Sequence, residues 1–344
     1  MTDFDSSMVE SFAQTLRDCN KVVLTCHTNA DGDALGSTLG MQRVLRSMGK
    51  QADVITPDLA PTMYTWIDGF KTLRCYERQQ EECDKIIDEA DLLIFMDFND
   101  LARTKVMAAK LEGIQTKRVL IDHHLDPMVK ADVSFSHPEA SSTCQLVYSL
   151  LLEAGLKEYV DTQATQNFYA GIVTDTGGLS YNSSDPKLYE LIASMLRKGI
   201  DKTFVHDKIF NSRTLRQLKL QGFSLGRKLH RVERYPLAVM ALSAKELEQY
   251  KYTTGDVEGL VNIPLQVKDI MVSCLMLERP DCIKMSFRSK GEFPVNEFSA
   301  KYFGGGGHLN AAGGTFHGSL EEATELYCKA IADFYERWMK KTAK

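Results

Sequence analysis

The sequence predicts an α/β protein, with a mostly parallel sheet in its N-terminal half followed by a helical stretch and a smaller α+β unit. Three observations carry this. Apolar and β-branched runs that read as strands recur at 21–26, 51–55, 91–96 and 118–121, and segments of helical periodicity separate them near 7–18, 33–48 and 82–89. Alternation of that kind indicates βαβ units and parallel pairing. From about 142 to 232 the pattern turns helical, and then new candidate strands appear at 236–242, 270–278 and 282–288.

Taken along the chain, "KVVLTC" is the first buried strand and "ALGSTLGMQRVLRSMG" the helix after it, with an aspartate just before it as N-cap. "DLLIFM" and "RVLI" are further continuous apolar runs of the kind that parallel sheets bury on both faces. "TLRQLKLQGFSLGRKLHRVER" is expected to form one long charged helix leading out of the first domain. The second unit closes with a glycine-rich turn at 304–307 and an amphipathic helix from about 320 to 340. At 344 residues, 44% hydrophobic and 25% charged, the chain has the composition of a soluble globular protein with room for two domains. It shows no basic leader followed by an apolar segment and no run of membrane-spanning length, so a cytoplasmic location without a membrane partner is expected. The eight cysteines form no C-x-x-C pair and lie in apolar contexts, which points to reduced thiols. A net charge of −5 disfavours a long nucleic-acid footprint, which needs a basic face, and leaves room for a small phosphorylated ligand.

The strand ends carry the chemistry. In open parallel sheets, ligands sit beyond the carboxyl ends of the strands. The first strand runs into "HTNADGDALGS", delivering His27, Asp31 and Asp33; "DLLIFMDFND" delivers Asp97, Asn99 and Asp100; "RVLIDHHLD" delivers Asp122, His123, His124 and Asp126. Taken singly, each has a plain explanation: Asp, Asn and Gly are turn residues, and an aspartate after a strand caps the next helix. A calcium loop is excluded, because counting from Asn29 puts Ala34 where the loop needs glycine and Gly40 where it needs glutamate. Three coincident plain explanations are less economical than one cluster, and Asp175 in "GIVTDTGG" supplies a further carboxylate. Four crowded carboxylates carry about −4, which two divalent cations neutralise, and a mixed carboxylate and imidazole set suits Mn²⁺ or Mg²⁺. Two such cations roughly 3.5–4 Å apart are the standard arrangement for displacement at phosphorus. The chain has no G-x-x-x-x-G-K-[ST] and no G-x-S-x-G, and its glycines do not complete G-x-G-x-x-G.

In the second unit, "FGGGGHLNAAGG" follows "KMSFRSKG". Glycines at Gly305, Gly306 and Gly307 let backbone N–H groups approach an anion, with Arg288, His308 and Asn310 as side-chain donors. A flexible surface loop is the plain alternative.

With these residues assembled, the chain resembles the DHH phosphoesterase superfamily, named for the triplet present here as Asp122, His123 and His124. "HTNADGDALGS", "MDFND", "DHH" and "GIVTDTGG" match its four N-terminal motifs in order, and "SFRS…FGGGGHLNAAGG" matches the DHH-associated C-terminal domain. Within the superfamily it is most similar to the oligoribonuclease and pAp-phosphatase (nanoRNase) branch, which "ASSTCQLVYSLL" at 140–151 also fits.

The resemblance implies a DHH domain over 1–195, a helical linker over 196–234 and a DHH-associated substrate-binding domain over 235–344, with the active site in the cleft between the domains. It implies two divalent cations, Mn²⁺ first and Mg²⁺ second. His27, Asp31 and Asp97 would hold one, and Asp33, Asp97, His123 and Asp175 the other, with Asp97 bridging. Asp122 would orient the histidines, and His124 would contact the scissile phosphate or protonate the leaving oxygen. Arg288, the glycines and His308 would hold the terminal nucleotide, with Asn99 and Arg103 as further phosphate contacts. The implied reactions are hydrolysis of RNA a few nucleotides long to mononucleotides and removal of the 3′-phosphate of pAp to give AMP. A homodimer stays open. The rival readings are a cyclic or linear dinucleotide phosphodiesterase acting on c-di-AMP or pApA, a non-catalytic nucleotide-binding regulator, and, more weakly, an exopolyphosphatase or pyrophosphatase.

Overall fold

"KVVLT" forms β1 (Lys21–Thr25), and only its first residue reaches the surface. A strand this uniformly apolar has to be covered on both faces, and it lies near the middle of a six-stranded, all-parallel sheet. In the computed structural model, which describes residues 4–232 and 234–342, the chain divides into two units, Met1–Ser212 and Arg213–Lys344.

The first unit adds β2 (Gln51–Thr56), β3 (Arg74–Cys75), β4 (Leu92–Met96), β5 (Lys117–Asp122) and β6 (Val133–Ser136), in the spatial order β3-β2-β1-β4-β5-β6. The two short edge strands β3 and β6 were not legible in the sequence pattern, since two to four residues carry too little periodicity. Helices α1 (Ser6–Asp18), α2 (Gly32–Ser47), α3 (Gln80–Glu89), α4 (Ala108–Glu112), α5 (Thr143–Glu153), α6 (Thr162–Asp175), α7 (Pro186–Arg197) and α8 (Lys202–Phe210) complete it. One face of the sheet is sealed by Phe12, Leu35, Leu39, Leu146 and Phe168, the other by Cys83, Ile87, Phe98 and Leu111, all fully buried or nearly so. Each such side chain contributes about 1.5–3 kcal/mol when removed from water. The chain leaves β1 for α2 on one side and enters β4 from α3, so the strand order reverses between β1 and β4. That reversal opens a crevice at their carboxyl ends. Register brings the ends level: Thr25 lies beside Phe95, and Met96 beside Ile121.

The second unit contains α9 (Leu215–Phe223), β7 (Leu229–Arg231), β8 (Leu237–Leu242), α10 (Ala244–Gln249), β9 (Val272–Glu278), β10 (Ile283–Ser289), α11 (Val295–Phe303), β11 (Gly306–His308), β12 (Ala311–Phe316) and α12 (Leu320–Thr342). Its six-stranded sheet runs β11-β12-β10-β9-β8-β7, with β8 and β9 parallel and the other pairs antiparallel. Phe287, Phe293, Phe298 and Tyr327 fill one face, and Leu220, Met240, Leu260 and Leu275 the other.

Two expectations change here. The long charged helix is not continuous: α9 ends at Phe223, a single wide turn over Ser224–Lys228 follows, and the chain then becomes the edge strand β7. Glycines at 222 and 226 lower helix propensity, and pairing with β8 offers Leu229–Arg231 a ladder that a helix would forgo. The glycine run is no open turn either, because it enters the sheet as β11. All eight cysteines are free thiols, and no described helix is long and apolar enough to cross a membrane.

Candidate active site

The crevice at the β1/β4 reversal is where the acidic and imidazole groups converge. His27, two residues past β1, is buried, and its Nδ1 lies 2.8 Å from Thr28 O. A carbonyl only accepts, so that nitrogen carries a proton, and Nε2 turns inward, 3.5 Å from Asp97 Oδ2 and 3.9 Å from Asp31 Oδ2. The loop is anchored by Thr28, whose N–H and hydroxyl both donate to Arg103 O at 2.9 and 3.0 Å, and by Asn29 N–H on the Asp58 carboxylate. Asp31 resolves the choice between capping and ligation by doing the first with one oxygen and being positioned for the second with the other. Oδ1 accepts from Asp33 N and Ala34 N, both at 3.0 Å, and Oδ2 faces His27.

Asp33, in the first turn of α2, is fully buried. Its carboxylate accepts from Thr143 N at 2.6 Å and Cys144 N at 2.9 Å, two otherwise unpaired amides at the N-terminus of α5, where the helix dipole favours an anion. This contact requires α2, α5 and α6 to pack without intervening side chains. A methyl group on Gly171 would lie 2.2 Å from Cys144 Sγ and 2.7 Å from Asp33 Oδ1. The sequence reading named neither Thr143 nor Cys144 as a site residue, although "ASSTCQLVYSLL", which contains both, was matched to the family branch; they stand in the first turn of α5.

Asp97 follows β4 in a left-handed conformation, φ +65°, and is buried. β5 delivers the triplet. His123 Nε2 lies 3.3 Å from Asp175 Oδ2, 3.6 Å from Asp97 Oδ1 and 3.9 Å from Asp33 Oδ2. His124 Nδ1 lies 2.7 Å from Asp122 Oδ1 and 3.8 Å from Asp97 Oδ1. Asp122 is fully buried, and its Oδ2 has no hydrogen-bond partner among the described residues. Three triads of possible ligand atoms thus form, each within 4.8 Å: His27, Asp31 and Asp97; Asp33, His123 and Asp175; Asp97, His123 and His124.

The electrostatics fit a cation site. Burial, then the charge of Asp97, pushes the Asp33 carboxyl up to about 7 against the pull of His123. Burial and the charge of Asp33 likewise raise Asp175 well above the carboxylate range. Burial opposes a charged His27, yet the Asp97 and Asp31 carboxylates outweigh it and hold the ring protonated up to about 9; Asp175, Asp97 and Asp33 do the same for His123. Burial opposes ionisation of Asp97 as well, but His27, His124 and His123 keep it an anion. The metal-free cluster therefore gathers protons to offset packed negative charge, which is the task of divalent cations when they bind. The donors are carboxylate oxygen and imidazole nitrogen, a set suited to Mn²⁺ or Mg²⁺.

Other expected contacts are placed as follows. Asn99 directs its side-chain amide nitrogen at Leu125 O (2.6 Å) and Asp126 O (3.4 Å), and its backbone carbonyl accepts from Met128 N and Val129 N, so it ties down the loop after His124. Arg103 presents its carbonyl to Thr28. In the second unit, Arg288 is half-buried on β10 between Ser273 and Ala311, and burial lowers its pKa. Gly306, Gly307 and His308 pair with Gly313, Ala312 and Ala311, and His308 is exposed. Gly305 is demanded by packing, since a Cβ there would fall 1.8 Å from Gly313 O. Both amide hydrogens of Asn310 are directed inward, at Ser289 Oγ and Gly291 O, each at 2.8 Å, so this side chain joins the hairpin to the end of β10.

A parallel sheet with a carboxylate and imidazole cluster at its carboxyl edge, followed by a separate mixed-sheet unit, defines a two-part class of protein. Residues 21–173 match the N-terminal domain of the DHH family and residues 235–337 match the DHHA1 domain; the chain belongs to the DHH family. It is 26% identical over 315 residues to the bifunctional oligoribonuclease and PAP phosphatase NrnA of Thermus thermophilus, covering 91% of this chain and 89% of that one. The crystal structure of an exopolyphosphatase-related protein from Bacteroides fragilis superposes with a TM-score of 0.95 at 37% identity, covering 97% of this chain and 98% of that one. Exonuclease RecJ bound to manganese shares the fold at a TM-score of 0.52 and 14% identity, covering 95% of this chain and 94% of that one.

Proposed function

We propose that the chain is a two-metal phosphoesterase that hydrolyses oligoribonucleotides a few residues long to mononucleotides and removes the 3′-phosphate of pAp to give AMP. The observation that carries this reading is the placement of Asp97, whose Oδ2 faces His27 and whose Oδ1 faces His123, so that one carboxylate serves two adjacent ligand groups. The name of the Thermus thermophilus relative supports the substrate class.

In this reading, His27, Asp31 and Asp97 hold one cation and Asp33, Asp97, His123 and Asp175 the other, with Mn²⁺ as the preferred ion. When bound, the pair activates water and stabilises charge at phosphorus. Asp122 fixes the orientation of the His124 ring through Nδ1, so that Nε2 serves as the proton donor to the leaving oxygen. Arg288 and His308 of the second unit bind the nucleotide by charge-assisted hydrogen bonds to phosphate.

The test is to give purified protein, with Mn²⁺, labelled RNAs from dinucleotide to about twenty nucleotides, where only a protein with many phosphate contacts would gain affinity with length, together with pAp and c-di-AMP. Release of mononucleotides from the shortest RNAs and of AMP from pAp is expected. Turnover confined to c-di-AMP or its linear dimer, or no manganese-dependent turnover at all, would overturn the assignment.

A further inference from the structure

A carboxylate that bridges two cations has to present one oxygen to each, and the terminal torsion of an aspartate is soft. Rotation of the Asp97 carboxylate would carry either oxygen out of place. The structure contains a group positioned to prevent this. Thr143 Oγ1 donates to Asp97 Oδ1 at 3.0 Å, and both residues are buried.

The same residue reaches the other side of the cluster. Thr143 opens α5 behind the N-cap Ser142, so its backbone N–H has no partner inside the helix. That N–H lies 2.6 Å from Asp33 Oδ2, Cys144 N takes Asp33 Oδ1 at 2.9 Å, and Gln145 N bonds Ser142 Oγ at 3.0 Å. The first three amides of α5 are thereby accounted for, two of them by Asp33. A β-branched side chain has few χ1 choices, so with its backbone held on Asp33 the Thr143 hydroxyl is pinned where Asp97 needs a donor.

We propose that Thr143 is the positioning residue of the centre. Its hydroxyl fixes the rotation of the Asp97 carboxylate, and its N–H fixes Asp33, so one residue sets the relative placement of ligands from both groups. The hydroxyl takes one lone pair of Oδ1 and leaves the other facing His123, while Oδ2 faces His27. This rests on the metal-centre reading above.

The test is Mn²⁺ titration calorimetry on chelator-stripped protein, with thermal melts of the stripped forms alongside. Thr143→Val keeps the shape and the N–H but removes the hydroxyl; Thr143→Ser keeps the hydroxyl. Outer-sphere partners of metal ligands are worth about 10- to 100-fold in metal affinity, so Thr143→Val is expected to weaken Mn²⁺ binding by that factor while Thr143→Ser stays near wild type. If Thr143→Val does not fold, Thr143→Ala removes the hydroxyl without placing a methyl group against the carboxylate and is judged by the same criterion. A folded hydroxyl-less variant that binds Mn²⁺ like wild type, even with a lower melting temperature, would overturn the inference. Wild-type protein that binds no Mn²⁺ would instead sink the metal-centre reading on which it rests.

Discussion

His124 Nδ1 lies 2.7 Å from Asp122 Oδ1, and since a carboxylate only accepts, the ring's Nδ1 proton points into a fully buried aspartate. The histidine is therefore held in one tautomer and one orientation. His124→Ala is expected to leave Mn²⁺ bound and lower kcat roughly 10²- to 10⁴-fold, the range of a general acid. Asp122→Asn should lower kcat in the same direction, because an amide can turn its N–H toward Nδ1 and favour the other tautomer. Calorimetry beside steady-state kinetics checks both; loss of metal from His124→Ala would make His124 a ligand.

Asp97 lies between His27 and His123 on a left-handed backbone, φ +65°. Both Asp97→Asn and Asp97→Ala should abolish hydrolysis of every substrate. They should differ in stability, because asparagine tolerates this conformation and alanine does not, by about 1–2 kcal/mol. Urea melts of the two stripped variants measure the difference, and equal midpoints would refute the strain argument.

Protons and cations compete for the cluster. In stripped protein, His27 and His123 are held protonated up to about 9, above the ordinary 6.5. A histidine whose pKa rises on folding adds stability that is fully present below its unfolded value and is lost as pH climbs through the folded value. Stripped protein should accordingly lose stability between about pH 6.5 and 9. Over the same window Mn²⁺ affinity should rise and proton release fall, since ligands must bind the metal as neutral imidazole. Titrations in two buffers of different ionisation enthalpy read the released protons directly; an affinity independent of pH would contradict the assignment of these two rings as ligands.

Asn99 separates two roles by kinetics. Its amide nitrogen holds the Leu125 carbonyl at 2.6 Å, so Asn99→Ala should loosen the loop that follows His124 and lower kcat, with little change in KM for short RNA. A raised KM with kcat intact would instead support the phosphate contact that the resemblance implies.

His308 lies in the other unit, exposed at the end of β11. A hydrogen bond to a charged phosphate contributes about 1.5–3 kcal/mol, so His308→Ala should lower kcat/KM for short RNA and pAp roughly tenfold to a hundredfold. A small activated ester such as bis-p-nitrophenyl phosphate has no distal nucleotide and should be cut at nearly the wild-type rate. Equal impairment of both substrate types would place His308 in the chemical step.

Much of this was legible in the residues alone. Runs of four to six residues announce β1, β2, β4 and β5, and the Asp and His residues at or after the ends of β1, β4 and β5 announce a site, because strand-end position and residue chemistry are both local properties. Local pattern was silent about β3 and β6, and it misread the helix after Thr214 and the glycines after Phe303. In the last two cases, pairing with β8 and with β12 supplied hydrogen bonds that no short window can foresee.

What the sequence determined by itself is the chemistry on offer: five aspartates and three histidines placed at or just past the ends of strands and helices, in a chain of net charge −5. What only the tertiary structure decided is how they meet. The order β3-β2-β1-β4-β5-β6 sets the ends of β1, β4 and β5 side by side although more than twenty residues separate each from the next, and it seats the N-terminus of α5 against Asp33 and Asp97 from 110 residues and from 46 residues away in sequence. Thr143 could not be singled out beforehand for that reason. A threonine in the first turn of a helix, just after its N-cap Ser142, is an ordinary residue until packing brings a buried carboxylate within 3.0 Å of its hydroxyl.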